Sequence, residues 1–277
     1  MKILVRLLIV FVLCISITAV PCLAKNFSSA NAFEIKVNNP GRTDVLLYAQ
    51  EDVLQQASDD EIEDEDIEYL EEDDELDGIA DPLEPVNRAF FYFNDKLYFW
   101  VLKPAAKGYS AAVPEEIRIS IRNVFKNLAA PVRMANSLLQ LKFKSAGNEL
   151  LRFGINSTFG MLGLYDVAKD EMGIRMHDED FGQTLGVWGV GPGIYITWPL
   201  LGPSTLRDTI GDAGDYFLDP VNYVNPLIDR YAVKGGDRIN RTSLSLGDYE
   251  EIKKDALDPY DAVKDIYNQY RKSRIEK

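Results

Sequence analysis

The sequence predicts an all-α domain of amphipathic helices joined by Gly/Pro-rich loops. Three observations predict it. Apolar residues recur at three- and four-residue spacing through most of 81–277. Prolines preceded or followed by acids mark where these stretches begin. Cysteines occur only at Cys14 and Cys22, inside a predicted signal, so the fold rests on packing and not on disulfides.

Residues 1–24 read as an export signal. Lys2 and Arg6 form a short basic start, and Leu7 to Val20 is an uncharged apolar run. The run is shorter than the ~20 residues that span a bilayer. Pro21 breaks it, and Cys22-Leu23-Ala24 places small residues where a signal peptidase reads, which predicts cleavage after Ala24. Cys22 follows Pro21 and Cys14 follows Leu13, so neither sits in a good lipidation motif. Two mature N-termini stay open, one after Ala24 and one with Cys22 lipidated.

The net charge of −14 lies in one block. Residues 51–77 hold sixteen acids and no base, and residues 1–50 carry +3, which leaves −1 for 78–277. Residues 25–78 are therefore expected to be a solvated, disordered acidic leader. The domain, 79–277, is close to neutral and long enough for one sizeable core. No basic patch of the kind nucleic acid demands is present.

The elements follow in order. Asp81-Pro82-Leu83-Glu84 opens a helix expected to run to about Leu102 and stop before Pro104, with Asp81 as cap. Val86, Phe90, Phe93, Leu97, Trp100 and Val101 share one broad face; Glu84, Arg88 and Asp95 lie opposite, with Asn87, Phe91, Asn94 and Tyr98 between. Pro114 starts a helix carrying Ile117, Ile121, Val124 and Leu128. Pro131 opens another with Val132, Met134, Leu138, Leu139 and Leu141. Ser145 is placed as the cap of a fourth, with Leu150, Leu151, Phe153, Ile155 and Phe159; Gly154, Gly160 and Gly163 permit close backbone approach there. Residues 181–203, rich in glycine and proline and holding Trp188 and Trp198, cannot form one regular helix. They read either as an interfacial loop with its tryptophans at a membrane boundary or as a loop buried under the core. Ser204 or Thr205 caps a helix to Phe217, and Asp258-Pro259 opens a last one with Tyr260, Val263, Ile266, Tyr267 and Tyr270 along one side.

Catalytic and cofactor patterns are missing. His177 is the single histidine, no Gly-x-Ser-x-Gly elbow exists, no Cys/His metal spacing occurs, and the glycines at 186–193 lack a following Lys-Ser/Thr. No cofactor is expected. An esterase built on His177 from scattered residues stands as the enzymatic alternative.

Four collinear blocks carry a resemblance. Asp81-Pro82-Leu83-Glu84 with Asn87-Arg88 and Phe93-Asn94 form the first. Arg152-Phe153, Asn156, Gly160-Met161 and Asp166-Val167-Ala168 form the second. Phe181-Gly182, Thr184-Leu185-Gly186, Gly189-Val190-Gly191, Pro199 and Gly202 form the third, and Leu206-Arg207-Asp208 with Gly211-Asp212 the fourth. Over about 81–226 the chain resembles the MlaA (VacJ) family of phospholipid-transport outer-membrane lipoproteins.

The resemblance implies a ring-shaped bundle of helices lying in the inner leaflet of the outer membrane, on its periplasmic side. It implies an amphipathic channel that removes phospholipids from the outer leaflet, keeping lipid asymmetry, and performs no enzyme chemistry. A trimeric porin and a periplasmic lipid carrier, MlaC-like, are the implied partners. Near the channel it implies roles for Tyr92, Phe93 and Asn94 and for Gly189, Gly191, Pro192 and Gly193; Arg207 and Asp208 form either a headgroup site or an ion pair. Such proteins usually carry a lipid anchor, which cleavage after Ala24 would leave out. A soluble periplasmic lipid-binding or scaffold protein is the alternative.

Overall fold

The computed structural model describes residues 78–276. The signal, its cleavage or lipidation at Cys22, and the acidic leader 51–77 lie outside the described residues. The domain is predominantly helical. In chain order the helices are α1 (Glu84–Leu97), α2 (Lys103–Ala112), α3 (Glu115–Leu128), α4 (Ala130–Leu139), α5 (Phe143–Thr158), α6 (Val167–Asp170) and α7 (Phe181–Val187). Strands β1 (Tyr195–Trp198) and β2 (Gly202–Thr205) follow, then α8 (Leu206–Asp215), α9 (Leu227–Leu244), α10 (Asp248–Asp255) and α11 (Pro259–Glu276).

Pro104 does not end the first helix. A π turn over Tyr98–Leu102 joins α1 to α2, with the Lys103 N–H bonding the Tyr98 carbonyl. Proline has no N–H and crowds the carbonyl four residues back. One widened turn absorbs that misfit, and the chain continues helical. Asp81 is not a cap either. Its carboxylate takes the Asn87 amide at 2.8 Å and the Tyr260 hydroxyl, tying the start of α1 to α11. Ser145 lies inside α5, whose N-terminal flank is Lys142.

Segment 181–203 is neither a single loop nor fully buried. It holds α7 and the first strand of an antiparallel hairpin in which Tyr195 pairs with Thr205 and Trp198 with Gly202. Trp188 and Trp198 are exposed while Gln183, Thr184, Tyr195 and Thr197 are buried. Thr205 caps α8 by accepting the Asp208 N–H. Helices α7 and α8 pack backbone to backbone: a Cβ on Gly211 would fall 2.4 Å from the Gly182 nitrogen. Gly160 likewise sits against the Tyr165 and Asn156 carbonyls, whereas Gly154 faces open space and brings nothing close.

One apolar core is evident. Phe91 and Tyr98 from the α1 region, Tyr195 from β1, Tyr249 and Ile252 from α10, and Tyr260, Val263 and Tyr267 from α11 pack together. Their rings meet edge to face, Tyr98 on Tyr249 at 5.0 Å and Phe91 on Tyr260 at 5.8 Å. Four of the tyrosine hydroxyls find carboxylates at the edge: Tyr249 on Asp95 at 2.8 Å, Tyr267 on Asp208 at 2.6 Å, Tyr98 on Glu250 at 3.1 Å, and Tyr260 on Asp81. Burying a ring while keeping its hydroxyl bonded avoids a cost of about 1–3 kcal/mol per group.

Candidate functional site

Elsewhere the usual arrangement of a soluble domain is inverted. Helices α4 and α5 form a hairpin whose interior is polar. Arg133 donates to Glu149 at 2.7 Å, with the Glu149 side chain 0% exposed. Glu149 also accepts the His177 backbone N–H, at 2.8 Å. Asn136 bonds Asp215 at 2.7 Å and receives the Thr184 hydroxyl at 3.0 Å. Gln140 reaches Glu179 and Thr184, and Lys142 pairs with Glu179 at 2.8 Å. Arg152 holds Asp166 at 2.7 Å and the Ile174 carbonyl, and Asn156 holds Asp166 at 2.8 Å.

The apolar residues that the helical spacing picks out stand outside. Leu150 is 58% exposed and Leu151 55%, beside the buried Glu149 and Arg152. Leu138, Leu139, Leu141, Phe143 and Phe159 are exposed on the same hairpin and its turns. On α1 and the π turn the buried strip is Asn87, Phe91, Asn94, Asp95 and Tyr98, while Val86, Phe90, Phe93, Trp100 and Val101 face outward. Leu141, Met161, Leu162 and Leu200 occupy left-handed backbone positions at turns and are all exposed. Glycine or asparagine avoids the strain that such residues bear there. Among the described residues no helix is long and apolar enough to cross a membrane.

The sequence-predicted site residues fall in two groups. On α1, Tyr92 and Phe93 are exposed and Asn94 is buried. Asn94 and Asn87, two turns apart, staple β1 to the helix. Asn87 donates to the Tyr195 carbonyl at 3.0 Å and accepts the Thr197 N–H at 2.8 Å. Asn94 does the same with the Trp198 carbonyl at 2.9 Å and the Leu200 N–H at 2.8 Å. Two side-chain amides thus replace the backbone of a third strand on the open edge of β1.

The second group surrounds Arg207. Gly189 and Gly193 take positive φ, 88° and 74°, in the turns that lead from α7 to β1. The Pro192 carbonyl accepts the Arg207 backbone N–H at 3.2 Å, and Gly191 faces open space. The Arg207 side chain and Asp208 form a buried pair at 3.0 Å. Arg271 of α11 bridges Asp208 at 2.8 Å and Asp180 at 2.5 Å, locking α11 onto α7 and α8. Burial alone pushes the Asp208 carboxyl up, but Arg271, Arg207 and Tyr267 outweigh it and hold it down at about 2. Asn94 bonds to the Trp198 carbonyl and the Leu200 N–H, and the 189–193 turns lead into β1, so the hairpin joins the two groups.

Arg133, Glu149, Gln140 and Arg271 were not singled out from the sequence. For the first three the signal is a second helical stripe, Arg133, Asn136 and Ser137 on α4 with Gln140 just past its end, and Glu149, Arg152 and Asn156 on α5, running beside the leucines. His177 reads poorly as a relay: its ring Nδ1 is buried without a hydrogen-bond partner. Among the described residues no group of His, Cys, Asp and Glu could hold a metal ion.

Comparison with known proteins agrees with the four sequence blocks. The family model for the MlaA lipoprotein matches residues 79–274. The intermembrane phospholipid transport system lipoprotein MlaA of Escherichia coli is 32% identical over 197 residues, covering 69% of this chain and 77% of the relative. The protein of that name from Haemophilus influenzae is 31% identical, covering 68% and 76%. An uncharacterized protein of Rickettsia bellii is 31% identical over 224 residues, 76% and 87% of the two chains. A solved structure from work on the "structural basis for maintenance of bacterial outer membrane lipid asymmetry" superposes with a TM-score of 0.61 at 31% identity, covering 71% of this chain and 99% of the other. The chain belongs to the MlaA lipoprotein family.

Proposed function

We propose that the domain lies in the inner leaflet of the outer membrane and moves phospholipids out of the outer leaflet, without covalent chemistry. The single observation that supports this most is the inversion of α4 and α5. Exposed leucine and phenylalanine are unfavourable in water by ~25 cal/mol per Å² and are neutral against lipid tails. A hydrogen-bonded ionic interior is what a charged headgroup requires when it crosses apolar surroundings. An E. coli relative named as a phospholipid transport lipoprotein, identical at nearly a third of aligned positions, supports the same reading.

In this reading the polar interior is one wall of a headgroup path and the outer apolar faces meet lipid tails. A trimeric porin braces the disc, and an MlaC-like periplasmic carrier receives the lipid. Tyr92 and Phe93, exposed on the helix that Asn87 and Asn94 staple to the hairpin, keep the path closed to unregulated flow.

Deleting Tyr92-Phe93 in cells and labelling outer-leaflet phospholipid tests the reading. Changed asymmetry is expected; unchanged asymmetry removes the gating role. Membrane fractionation tests the placement. The domain should stay with the outer membrane in high salt and leave only with detergent. Full release by salt would favour the soluble periplasmic lipid-binding protein instead.

A further inference from the structure

Among the described residues four that are not glycine take positive φ, and all four are exposed and apolar: Leu141, Met161, Leu162 and Leu200. Met161 and Leu162 stand side by side, at φ 53° and 63°, in a turn closed by the Gly163 N–H on the Gly160 carbonyl at 3.1 Å. Two successive left-handed residues are the pattern that asparagine and glycine fill with least strain. Here they are a methionine 58% exposed and a leucine 59% exposed. In water such residues are unfavourable twice, through crowding of the backbone and through apolar surface left wet.

The turn is also built to do without water. Residues 153–165 hold no charge. The N–H groups of Phe159, Gly160, Leu162, Gly163 and Tyr165 all bond carbonyls within 155–160. From α3, Asn127 reaches the Leu162 carbonyl at 3.4 Å and Asn123 the Leu164 carbonyl at 3.5 Å. Gly163 lies against Asn127, since a Cβ there would fall 2.6 Å from the Asn127 Cβ. Water or a protein partner can bond open backbone groups. Lipid tails cannot, so backbone that meets them must be satisfied from within. Leu151, Ile155 and Phe159 run at four-residue spacing down α5 into the turn, which continues the face assigned above to lipid tails.

We propose that the turn 159–165 is an anchor inserted in hydrocarbon, with Met161 and Leu162 at its tip and Asn123 and Asn127 closing its backbone. It rests on the inner-leaflet placement and names a loop, beside the helix faces, that enters the tails.

The test replaces the tip by the pair that its backbone prefers. The full chain carrying Met161→Asn/Leu162→Gly is compared with wild type, each diluted from non-ionic detergent onto vesicles of phosphatidylethanolamine and phosphatidylglycerol in high salt. The thermal midpoint in detergent is expected to stay or rise, while vesicle binding falls about tenfold or more. Wild-type vesicle binding by the folded variant overturns the anchor; a lowered midpoint would then make the two side chains packing groups, and lost retention in native outer membranes would assign the turn to a protein partner. Nitroxide labels read insertion directly, carried on a ketone-bearing amino acid so that Cys14 and Cys22 stay untouched. A label in place of Leu162 should meet dissolved oxygen more than a water-soluble nickel chelate, and one in place of Leu257, fully exposed between α10 and α11, should show the reverse. Chelate reaching the Leu162 label while a Leu150 label meets oxygen overturns the anchor and leaves the placement standing. Chelate reaching both sinks the placement with it. If the double variant does not fold, the labels decide.

Discussion

The α10–α11 end of the domain and the α4–α5 hairpin are built from similar amphipathic helices, yet they bury opposite faces. Around α10 and α11 the rings of Tyr249, Tyr260 and Tyr267 pack inward and Lys254 and Lys272 face outward, as water requires. In α4 and α5 Arg133, Glu149 and Arg152 point inward and Leu150, Leu151 and Phe159 point outward. The difference teaches that amphipathicity fixes two faces without saying which one is the interior; the medium around each helix decides that.

The comparison breaks most easily at the ionic interior. Glu149→Ala leaves Arg133 buried without its partner and should cost about 3–5 kcal/mol in chemical denaturation. A cost near zero would mean that water reaches the hairpin interior. The outer face comes next. Leu150→Asp should weaken partition into vesicles by about 2.5–3.5 kcal/mol; in detergent-free buffer its effect on stability stays within about 0.5 kcal/mol. Ile252→Ala in the aromatic core should do the reverse, destabilising the fold with little effect on vesicle binding.

Acid sharpens the boundary between the two regions at Asp208, where α8 meets α11. Its carboxyl sits at about 2 in the fold against 3.8 ordinarily. Its folded value is depressed, so its contribution is full above pH 3.8 and is lost as pH falls toward 2. That loss is about 2 kcal/mol, read from denaturation midpoints across this window. Asp208→Asn should flatten the dependence; an unchanged slope would place the acid sensitivity elsewhere. The smallest effect belongs to Tyr92→Ser, whose stability change should stay within about 0.5 kcal/mol because the ring is exposed. A larger change would give Tyr92 a packing role.

Much of the fold was legible in the residues. Pro114, Pro131, Thr205 and Pro259 mark helix starts where helices begin, because a missing N–H and a side-chain cap are local effects. Pro104 misled, since a π turn satisfies locally what the rule treats as a break. The β1–β2 hairpin was not anticipated. Its strands are only four residues each, and its register depends on Asn87 and Asn94, which lie more than a hundred residues away in sequence. Of the site, Tyr92, Phe93, Asn94, Arg207 and Asp208 came from their place in family-like blocks. The Arg133–Glu149 pair and the Arg271 bridge did not, because nothing local distinguishes a buried arginine from a solvated one.

The sequence by itself determined the helical class, the separation of an acidic block from a neutral domain, the family, and the existence of two chemically distinct faces on each helix. The family follows from the resemblance of four collinear blocks, and the rest from composition, local sterics and spacing. Only the tertiary structure decided that α4 and α5 turn their charged face inward, that asparagines finish the edge of a short sheet, and that Arg271 ties α11 to Asp180 and Asp208. Those outcomes depend on which groups meet across long stretches of chain and on the cost of burying each charge without a partner, and neither is written in any local run of residues.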